Sequence, residues 1–212
     1  LMIDLYTAST PNGWKVSITL EELSIPYKVK EIDLIKGDQK KKSFLKINPN
    51  GRIPARIDRG ENNLAIFESG AIMIYLAEKT GKLLPSDPTK KSEVLQWLMF
   101  QMASLGPMLG QVHHFIKFNA GKSAYAEERY YNEAMRIYGV LNKRLGESQF
   151  VAGKDYGIVD ISIWPWISRY EWQNIDLNKF SNILRWYKEI ASREAVIKGY
   201  DIPNTGAEIP IP

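Results

Sequence analysis

Residues 52–81 read RIPARIDRGENNLAIFESGAIMIYLAEKTG, and this stretch decides the fold of the first part of the chain. RIPARID and NLAIFES predict two short strands, because branched and aromatic residues fill them and the turn-rich DRGENN separates them. SGAIMIYLAEKTG then predicts a helix, with Ser69 as its N-cap and Gly81 just past its end. We therefore expect an antiparallel hairpin that leads directly into a helix.

The residues before this stretch alternate between strand and helix signals. MIDLYT and PYKVKEIDL have the alternation of strands, and GWKVSITLEELS between them has the apolar spacing of a helix. FLKINP predicts a short helical turn. The predicted order over residues 2–81 is βαβαββα, an α+β domain.

Strand signals disappear after GKLLPSDPTKK, whose prolines, serine and lysines predict a linker over residues 82–89. Four later segments carry helical periodicity, so residues 90–200 are predicted to form an all-α helical bundle domain. In YGIVDI we expect Gly157 to cap a helix and Asp160 to accept a hydrogen bond from the Gly157 amide. Residues 201–212 are predicted to be a loosely held tail.

Composition excludes several classes of function. The 212 residues are 44% hydrophobic and 25% charged, as in ordinary soluble domains, and include no cysteine. Disulfides, thiolate metal sites and a thiol nucleophile of the protein itself are thereby excluded. The two histidines, His113 and His114, are adjacent and point about 100° apart on a helix, so we expect no metal site.

Charge and hydropathy suggest neither a nucleic acid nor a membrane as partner. The net charge is +4. We interpret the basic run KGDQKKK as a solvated loop, and no nucleic-acid-binding motif accompanies it. The longest apolar runs are much shorter than the roughly 20 residues of a membrane span. We see no signal peptide and expect a cytoplasmic protein.

The turn in TASTPNGWK, residues 7–15, lies between a predicted strand and a predicted helix. Ser9 or Thr10 can cap that helix, with Pro11 at its first position. The same hydroxyl and amide donors could instead hold a thiolate that arrives on a ligand, because such donors favour the charged form. One hydrogen bond to a charged group contributes about 1.5–3 kcal/mol, which lowers a thiol pKa by about one to two units.

Two further motifs each admit a structural and a functional interpretation. Pro54 in IPA is either an ordinary edge-strand proline or a cis-proline that exposes the backbone of Ile53 to an extended peptide. Ser69 in FESG can simply cap a helix, but a helix N-terminus also binds anions, and Glu68 beside it would suit an ammonium group. Carboxylate and anion site together fit an α-amino acid head group such as a γ-glutamyl moiety.

From Met2 to about Tyr200 the chain resembles the cytosolic glutathione transferases. RIPA resembles their cis-proline loop, and FESGAIMIYLAEKTG resembles their γ-glutamyl site and the helix that follows it. TPNGWK, QWLMFQMASLGPMLGQVHHF and YAEERY together resemble the bacterial Nu class, whose members act as disulfide-bond reductases. The resemblance implies a thioredoxin-like N-terminal domain, an all-α C-terminal domain, glutathione as co-substrate without a metal, and a homodimer.

Individual roles follow from the resemblance alone. It implies that Thr10 and Asn12 face the glutathione sulfur and that Arg129 reaches glutathione across the dimer interface. The other glutathione contacts it implies are Gln39 and Arg52 at the glycyl end, Ile53 and Pro54 at the cysteinyl backbone, and Glu68 and Ser69 at the γ-glutamyl end. A hydrophobic substrate site would be lined by His114, Phe115, Phe118 and Trp172.

Three functions remain open at the level of the sequence. The first is a glutathione-dependent disulfide reductase that uses Thr10 and Asn12. The second is a conventional transferase that adds glutathione to hydrophobic electrophiles, for which Tyr6 and Ser9 are rival sulfur-facing residues. The third is a non-catalytic interaction module, as this fold serves in translation-factor complexes and in a yeast nitrogen regulator.

Overall fold

A four-stranded mixed sheet forms the centre of the first unit, which comprises residues up to 84 together with 192–209 in a computed structural model that describes residues 2–212. The strands follow the spatial order β2-β1-β3-β4. β1 runs parallel to β2 and antiparallel to β3, and β3 and β4 form the predicted hairpin. The strands are β1 (Ile3–Thr7), β2 (Tyr27–Glu31), β3 (Ala55–Asp58) and β4 (Leu64–Phe67).

The helices of this unit complete the predicted βαβαββα order, which is confirmed. α1 and α3 pack on β1 through a buried apolar cluster that includes Leu5, Val16, Leu20, Ile72 and Leu76. α3 ends at Gly81, whose φ of 66° is the left-handed conformation that glycine adopts at low cost. The helices are α1 (Pro11–Glu22), α2 (Lys42–Leu45) and α3 (Ser69–Thr80).

The strand register brings three loops to one edge of the sheet. Tyr6, near the end of β1, pairs with Ala55, the first residue of β3. Ala55 also pairs with Phe67, the last residue of β4. The segments 8–13, 52–54 and 68–69 therefore all leave the sheet at the same edge, and every glutathione contact predicted in this unit except Gln39 lies in them.

The second unit comprises residues 85–191 and 210–212 and is helical, as predicted. α4 and α5 are joined by a π-helical turn at Gln101–Leu105, and another follows at His113–Phe118. The helices are α4 (Pro88–Phe100), α5 (Gly106–Val112), α6 (Ala124–Glu147), α7 (Ile158–Ile167) and α8 (Ser181–Ala191). Among residues 2–212 no helix is both long and apolar enough to cross a bilayer.

Asp160 anchors the start of α7 from a fully buried position. Its carboxylate accepts hydrogen bonds from the Gly157 amide at 3.1 Å, the Val151 amide at 3.0 Å and Trp186 Nε1 at 2.8 Å. The predicted bond from Gly157 to Asp160 is thus confirmed. The other two donors come from a loop and from α8, which local sequence patterns do not connect to Asp160.

The structure differs from the predicted end of the second domain at residue 200. α9 (Glu194–Tyr200) separates from α8 and groups with the first unit. A Cβ built at Gly199 would lie 2.6 Å from the Cα atom of Ile18, so the two helix backbones approach very closely. Ser17 Oγ donates to the Gly199 carbonyl at 2.7 Å, and the rings of Trp14 and Tyr200 lie 4.1 Å apart. Helical periodicity shows where a helix lies in the sequence but not which element it packs against.

Residues 201–212, predicted to be a loosely held tail, make hydrogen bonds of two kinds. Asp201 Oδ1 accepts hydrogen bonds from the amides of Gly206 at 2.7 Å and Ala207 at 3.2 Å. Tyr187 Oη donates to the Pro210 carbonyl at 2.6 Å. The first two bonds lie within the tail, and the third joins Pro210 to α8.

Candidate functional site

The N-terminus of α1 supplies the first part of the candidate site. Thr10 is the N-cap, as one of the two alternatives predicted, and its Oγ1 accepts a hydrogen bond from the Gly13 amide at 3.2 Å. A hydroxyl has one donor and two acceptor positions, so Thr10 can donate to a ligand while it caps the helix. Asn12, the second residue of the helix, is half-buried beside it. The structural and functional roles of this turn are therefore compatible.

Gly13 keeps the turn tight. A Cβ at this position would lie 2.3 Å from the Ala8 carbonyl oxygen and 2.5 Å from Thr7 Oγ1. Any larger residue would push the loop away from the start of α1. Glycine thus fixes where Thr10 and Asn12 stand relative to the end of β1.

The loop before β3 lies at the same sheet edge. The Ile53–Pro54 peptide bond is cis, as one of the two alternatives for IPA predicted, whereas the pairing of Ile53 with a peptide stays a prediction. The buried Asn48 Nδ2 donates to the Arg52 carbonyl at 2.6 Å and ties this loop to the preceding one. The backbone of Ile53 is thereby held beside the end of β1, and the Arg52 side chain is exposed.

The start of α3 supplies the third part. Glu68 occupies the N-cap position with a left-handed φ of 69°, and its carbonyl accepts from the Ile72 amide at 2.9 Å. Ser69 is the first residue of the helix, so its prediction as N-cap was wrong by one position. Left-handed backbone is unfavourable for a residue other than glycine and is found mainly where the surroundings require it, often at functional sites. The helix start places the Ser69 region at the positive end of the helix dipole and Glu68 immediately before it.

Gln39 lies in a 3₁₀ turn, Asp38–Lys40, that contacts the loop of Arg52. Gln39 Nε2 donates to the Leu34 carbonyl at 3.3 Å, whereas its buried Oε1 has no hydrogen-bond partner within residues 2–212. A Cβ built at Gly51 would lie 3.2 Å from the Gln39 carbonyl, so the two loops touch. A buried amide oxygen without a partner is uncommon and is satisfied when a ligand N–H is placed against it.

Lys15 is the last residue of the TPNGWK motif but was not among the predicted site residues. Its side chain is only 2% exposed. Burial lowers the pKa of Lys15 to about 7, and the charge of Glu68 opposes part of that change. The signal in the sequence was a lysine one helical turn after Asn12 among residues that are otherwise mostly apolar.

The predicted hydrophobic residues of the second unit form two aromatic pairs. Phe118 and Trp172 meet edge to face with ring centroids 5.5 Å apart, and His114 and Phe115 meet at 4.8 Å. Phe118 is 62% exposed. The Trp172 ring is also faced by the cations Arg169 at 4.6 Å and Lys117 at 5.6 Å, so its surroundings are not purely apolar.

His113, the other histidine, has a structural environment. Its Nε2 lies 3.0 Å from Gln173 Nε2, which also donates to the Trp166 carbonyl at 2.9 Å, so His113 acts as an acceptor. Burial, with a smaller contribution from Arg169, lowers the pKa of His113 to about 4. Within residues 2–212 no group of three or more histidine, aspartate or glutamate side chains is placed to bind a metal ion.

Arg129 lies on the exposed surface of α6. Together with the hydrogen-bonded Arg136, which has the larger effect, it lowers the pKa of Glu133. Its side chain is therefore one of two cations near this carboxylate on the surface of the second unit.

Two segments of the chain match the models of one protein family. Residues 2–78 match the model of the glutathione S-transferase N-terminal domain, and residues 105–194 match the model of the C-terminal domain. The chain belongs to the glutathione S-transferase family. Its sheet, its cis-proline loop and its all-α second unit are accordingly those of a glutathione S-transferase.

One relative and two solved structures show which proteins of this family the chain is similar to. The disulfide-bond oxidoreductase YfcG of Escherichia coli is 46% identical over 198 residues, which cover 92% of each chain. A glutathione transferase structure from Burkholderia graminis, with two glutathione molecules bound per subunit, has a TM-score of 0.90 and 41% identity over 97% of this chain and 90% of that one. One from Pseudomonas putida, with one glutathione disulfide bound per subunit, has a TM-score of 0.90 and 39% identity over 95% of this chain and 92% of that one.

Proposed function

We propose that this glutathione S-transferase family member is a glutathione-dependent disulfide reductase whose nucleophile is the sulfur of bound glutathione. The observation that carries the proposal is the turn at the start of α1, where the N-cap Thr10 and the half-buried Asn12 follow β1 in a chain that has no cysteine. A relative that is 46% identical is named a disulfide-bond oxidoreductase, and similar structures hold two glutathione molecules or one glutathione disulfide.

The sheet edge offers partners for each part of glutathione. Glu68 pairs with the α-amino group of the γ-glutamyl moiety, and the start of α3 at Ser69 receives its carboxylate. The Ile53 backbone, in the loop just before β3, pairs with the cysteinyl unit as an added strand would. Gln39 and Arg52 receive the glycyl end, and the unpartnered Gln39 Oε1 accepts from its amide.

The reaction consists of two thiol–disulfide exchanges. The thiolate of the first glutathione attacks one sulfur of the substrate disulfide, the S–S bond breaks, and the leaving thiolate takes a proton from solvent. The thiolate of a second glutathione then attacks the glutathione sulfur of the mixed disulfide. The products are glutathione disulfide and two substrate thiols, so glutathione supplies both electrons.

Thr10 and Asn12 contribute by favouring the thiolate over the thiol. A free thiol has a pKa of about 8.5, so only a few per cent is ionised at neutral pH. One or two hydrogen bonds to the sulfur shift this pKa by about one to two units. The attacking sulfur then has a pKa near the working pH, which is close to the optimum for exchange.

The proposal includes a cytoplasmic homodimer in which Arg129 contributes to the glutathione site of the partner subunit. Its support is the exposed position of Arg129 on α6 and the family resemblance. Charge reversal at Arg129 weakens glutathione binding under this proposal, whereas the same change at Arg136, the neighbouring surface cation, does not.

Two activities measured side by side test the proposed reaction. Wild-type protein is expected to reduce 2-hydroxyethyl disulfide with glutathione much faster than it conjugates glutathione to 1-chloro-2,4-dinitrobenzene. Asn12→Ala is expected to lower disulfide reduction, and Tyr6→Phe, whose ring packs 6.1 Å from Phe44, to leave it nearly unchanged. The opposite order, with conjugation dominant and dependent on Tyr6, would assign the chain to the conventional transferases. Failure to bind glutathione in a calorimetric titration would leave only the non-catalytic alternative.

A further inference from the structure

Lys15 is a buried cation one helical turn behind the proposed sulfur site. It lies in α1 three residues after Asn12 and four after Pro11, which is the spacing of side chains that share one helix face. Long side chains on a helix lean toward its N-terminus and cover the preceding turn. From this spacing we expect the Lys15 side chain to extend toward the turn that holds Thr10 and Asn12.

Burial makes this placement costly. Removal of an ammonium ion from water costs several kcal/mol unless charges or hydrogen bonds compensate it. The side chain is 2% exposed, and its neighbours Trp14 and Val16 are fully buried, so an apolar side chain would suit the core better. The charge of Lys15 at this position therefore depends on compensation by nearby charges or hydrogen bonds.

Glu68 is the carboxylate that acts on this charge, and it is also the proposed partner of the γ-glutamyl group. Charged groups on and just after α9 are engaged elsewhere. On α9, which also packs against α1, Arg193 Nε binds Glu22 at 2.6 Å and Lys198 binds Glu194 at 2.7 Å. Asp201, which follows α9, accepts hydrogen bonds from amides of the tail.

We propose that Lys15 is a positioning residue of the glutathione site, whose buried ammonium fixes the Glu68 carboxylate and stabilises the glutathione thiolate at the start of α1. The inference rests on the proposed function and deepens it. The substrate groups that it concerns are the γ-glutamyl ammonium, through Glu68, and the ionised sulfur, through the electrostatic field of Lys15.

The thiolate and the ammonium must affect each other equally. An opposite charge within about 4–6 Å shifts a pKa by about one to three units. If Lys15 lowers the pKa of the bound thiol, the bound thiolate raises the pKa of Lys15 by the same amount, because coupling between two sites is reciprocal. This equality distinguishes an electrostatic role from a purely structural one.

The decisive experiment measures the Lys15 pKa in the intact wild-type protein by NMR of labelled lysine side chains, with the Lys15→Met variant assigning the signal. The titration is repeated without ligand, with glutathione and with S-methylglutathione, which keeps both ends of the tripeptide but cannot form a thiolate. We expect glutathione to raise the Lys15 pKa by about one unit more than S-methylglutathione does. Equal effects of the two ligands would overturn the inference.

Variants give an independent readout through the pH profile of disulfide reduction. Lys15→Met is expected to lower kcat/KM about threefold to tenfold at pH 6.5, with the difference vanishing above pH 9, whereas Lys15→Arg keeps most of the wild-type profile. Lys188→Met, a change at an exposed lysine of α8, serves as the matched control and should have no effect. A Lys15→Met profile that is lower by a constant factor at every pH would contradict the inference.

Two results separate this inference from the proposed function. Wild-type protein that reduces disulfides normally, but whose Lys15 pKa does not change when glutathione binds, would refute only this inference. Protein that binds no glutathione would refute the proposed function as well.

Discussion

Replacement of Gly13 by alanine tests whether the turn at the start of α1 is as tightly constrained as the site requires. The new Cβ would lie 2.3 Å from the Ala8 carbonyl oxygen, and contacts of real Cβ atoms stay above 3.0 Å. Backbone has to move by about 0.7 Å to relieve the overlap, because the contacted atom belongs to the main chain and not to a flexible side chain.

The magnitude follows from two opposing effects. Alanine is favoured over glycine in a helix by about 1 kcal/mol, whereas overpacking of a tight site costs about 1–3 kcal/mol. We expect a net loss of up to about 2 kcal/mol in the free energy of unfolding. Activity should suffer more than stability, because a misplacement near 1 Å at a reacting centre can lower the rate about a hundredfold. We expect disulfide reduction to fall about tenfold to a hundredfold.

The assay combines urea unfolding with glutathione-dependent disulfide reduction on the same preparation. Gly139→Ala is the matched control, since Gly139 lies in the exposed middle of α6 with no atom within 4 Å of the added Cβ. That control should gain up to about 1 kcal/mol of stability and keep full activity. A Gly13→Ala protein as stable and as active as the wild type would refute the claim that this turn fixes Thr10 and Asn12.

Three further predictions concern ionisable side chains. Asp160→Ala removes the acceptor of three N–H donors and should lower the free energy of unfolding, measured in urea, by about 3–5 kcal/mol. A decrease of less than about 1 kcal/mol would show that these donors find other acceptors. The pKa of His113 is lowered to about 4, so the unfolded chain binds more protons between pH 4 and 6.5, and stability should fall by about 3 kcal/mol as the pH drops through that range. His113→Gln should remove most of this pH dependence, whereas the exposed His114→Gln should not, and equal behaviour of the two variants would contradict the assignment. Glu68→Gln should weaken glutathione binding about tenfold to a hundredfold and lower the Lys15 pKa further, and unchanged calorimetric affinity would exclude Glu68 as a ligand.

Local patterns predicted the elements of the fold because each element carries its own signals. The alternation of residues in β1 and β2, the turn in DRGENN and the glycine after α3 were sufficient for the βαβαββα order. The position of α9 was not predictable in this way, since it depends on the absence of a side chain at Gly199 opposite the backbone of Ile18. That contact joins residues that are far apart in sequence, and no local period encodes it.

Some features of the candidate site were likewise predictable from the sequence, and others were not. Pro54 and Thr10 were predictable because a proline before a strand and a threonine before a helix have few conformational roles. The role of Glu68 as a ligand stays a prediction from the sequence, and its left-handed cap conformation was not predicted, because glutamate has no preference for it. Lys15 was missed because a lysine in an amphipathic helix is normally exposed, and its burial arises only when α1 packs in the folded unit.

The protonation state of glutathione bound to the wild-type protein tests the central claim most directly. Ultraviolet absorption of the thiolate, titrated against pH with the protein saturated, gives the pKa of the bound thiol. The account predicts a pKa about one to two units below the free value of about 8.5, and a smaller decrease in Asn12→Ala. A bound thiol that stays protonated above pH 8 in the wild type would contradict it.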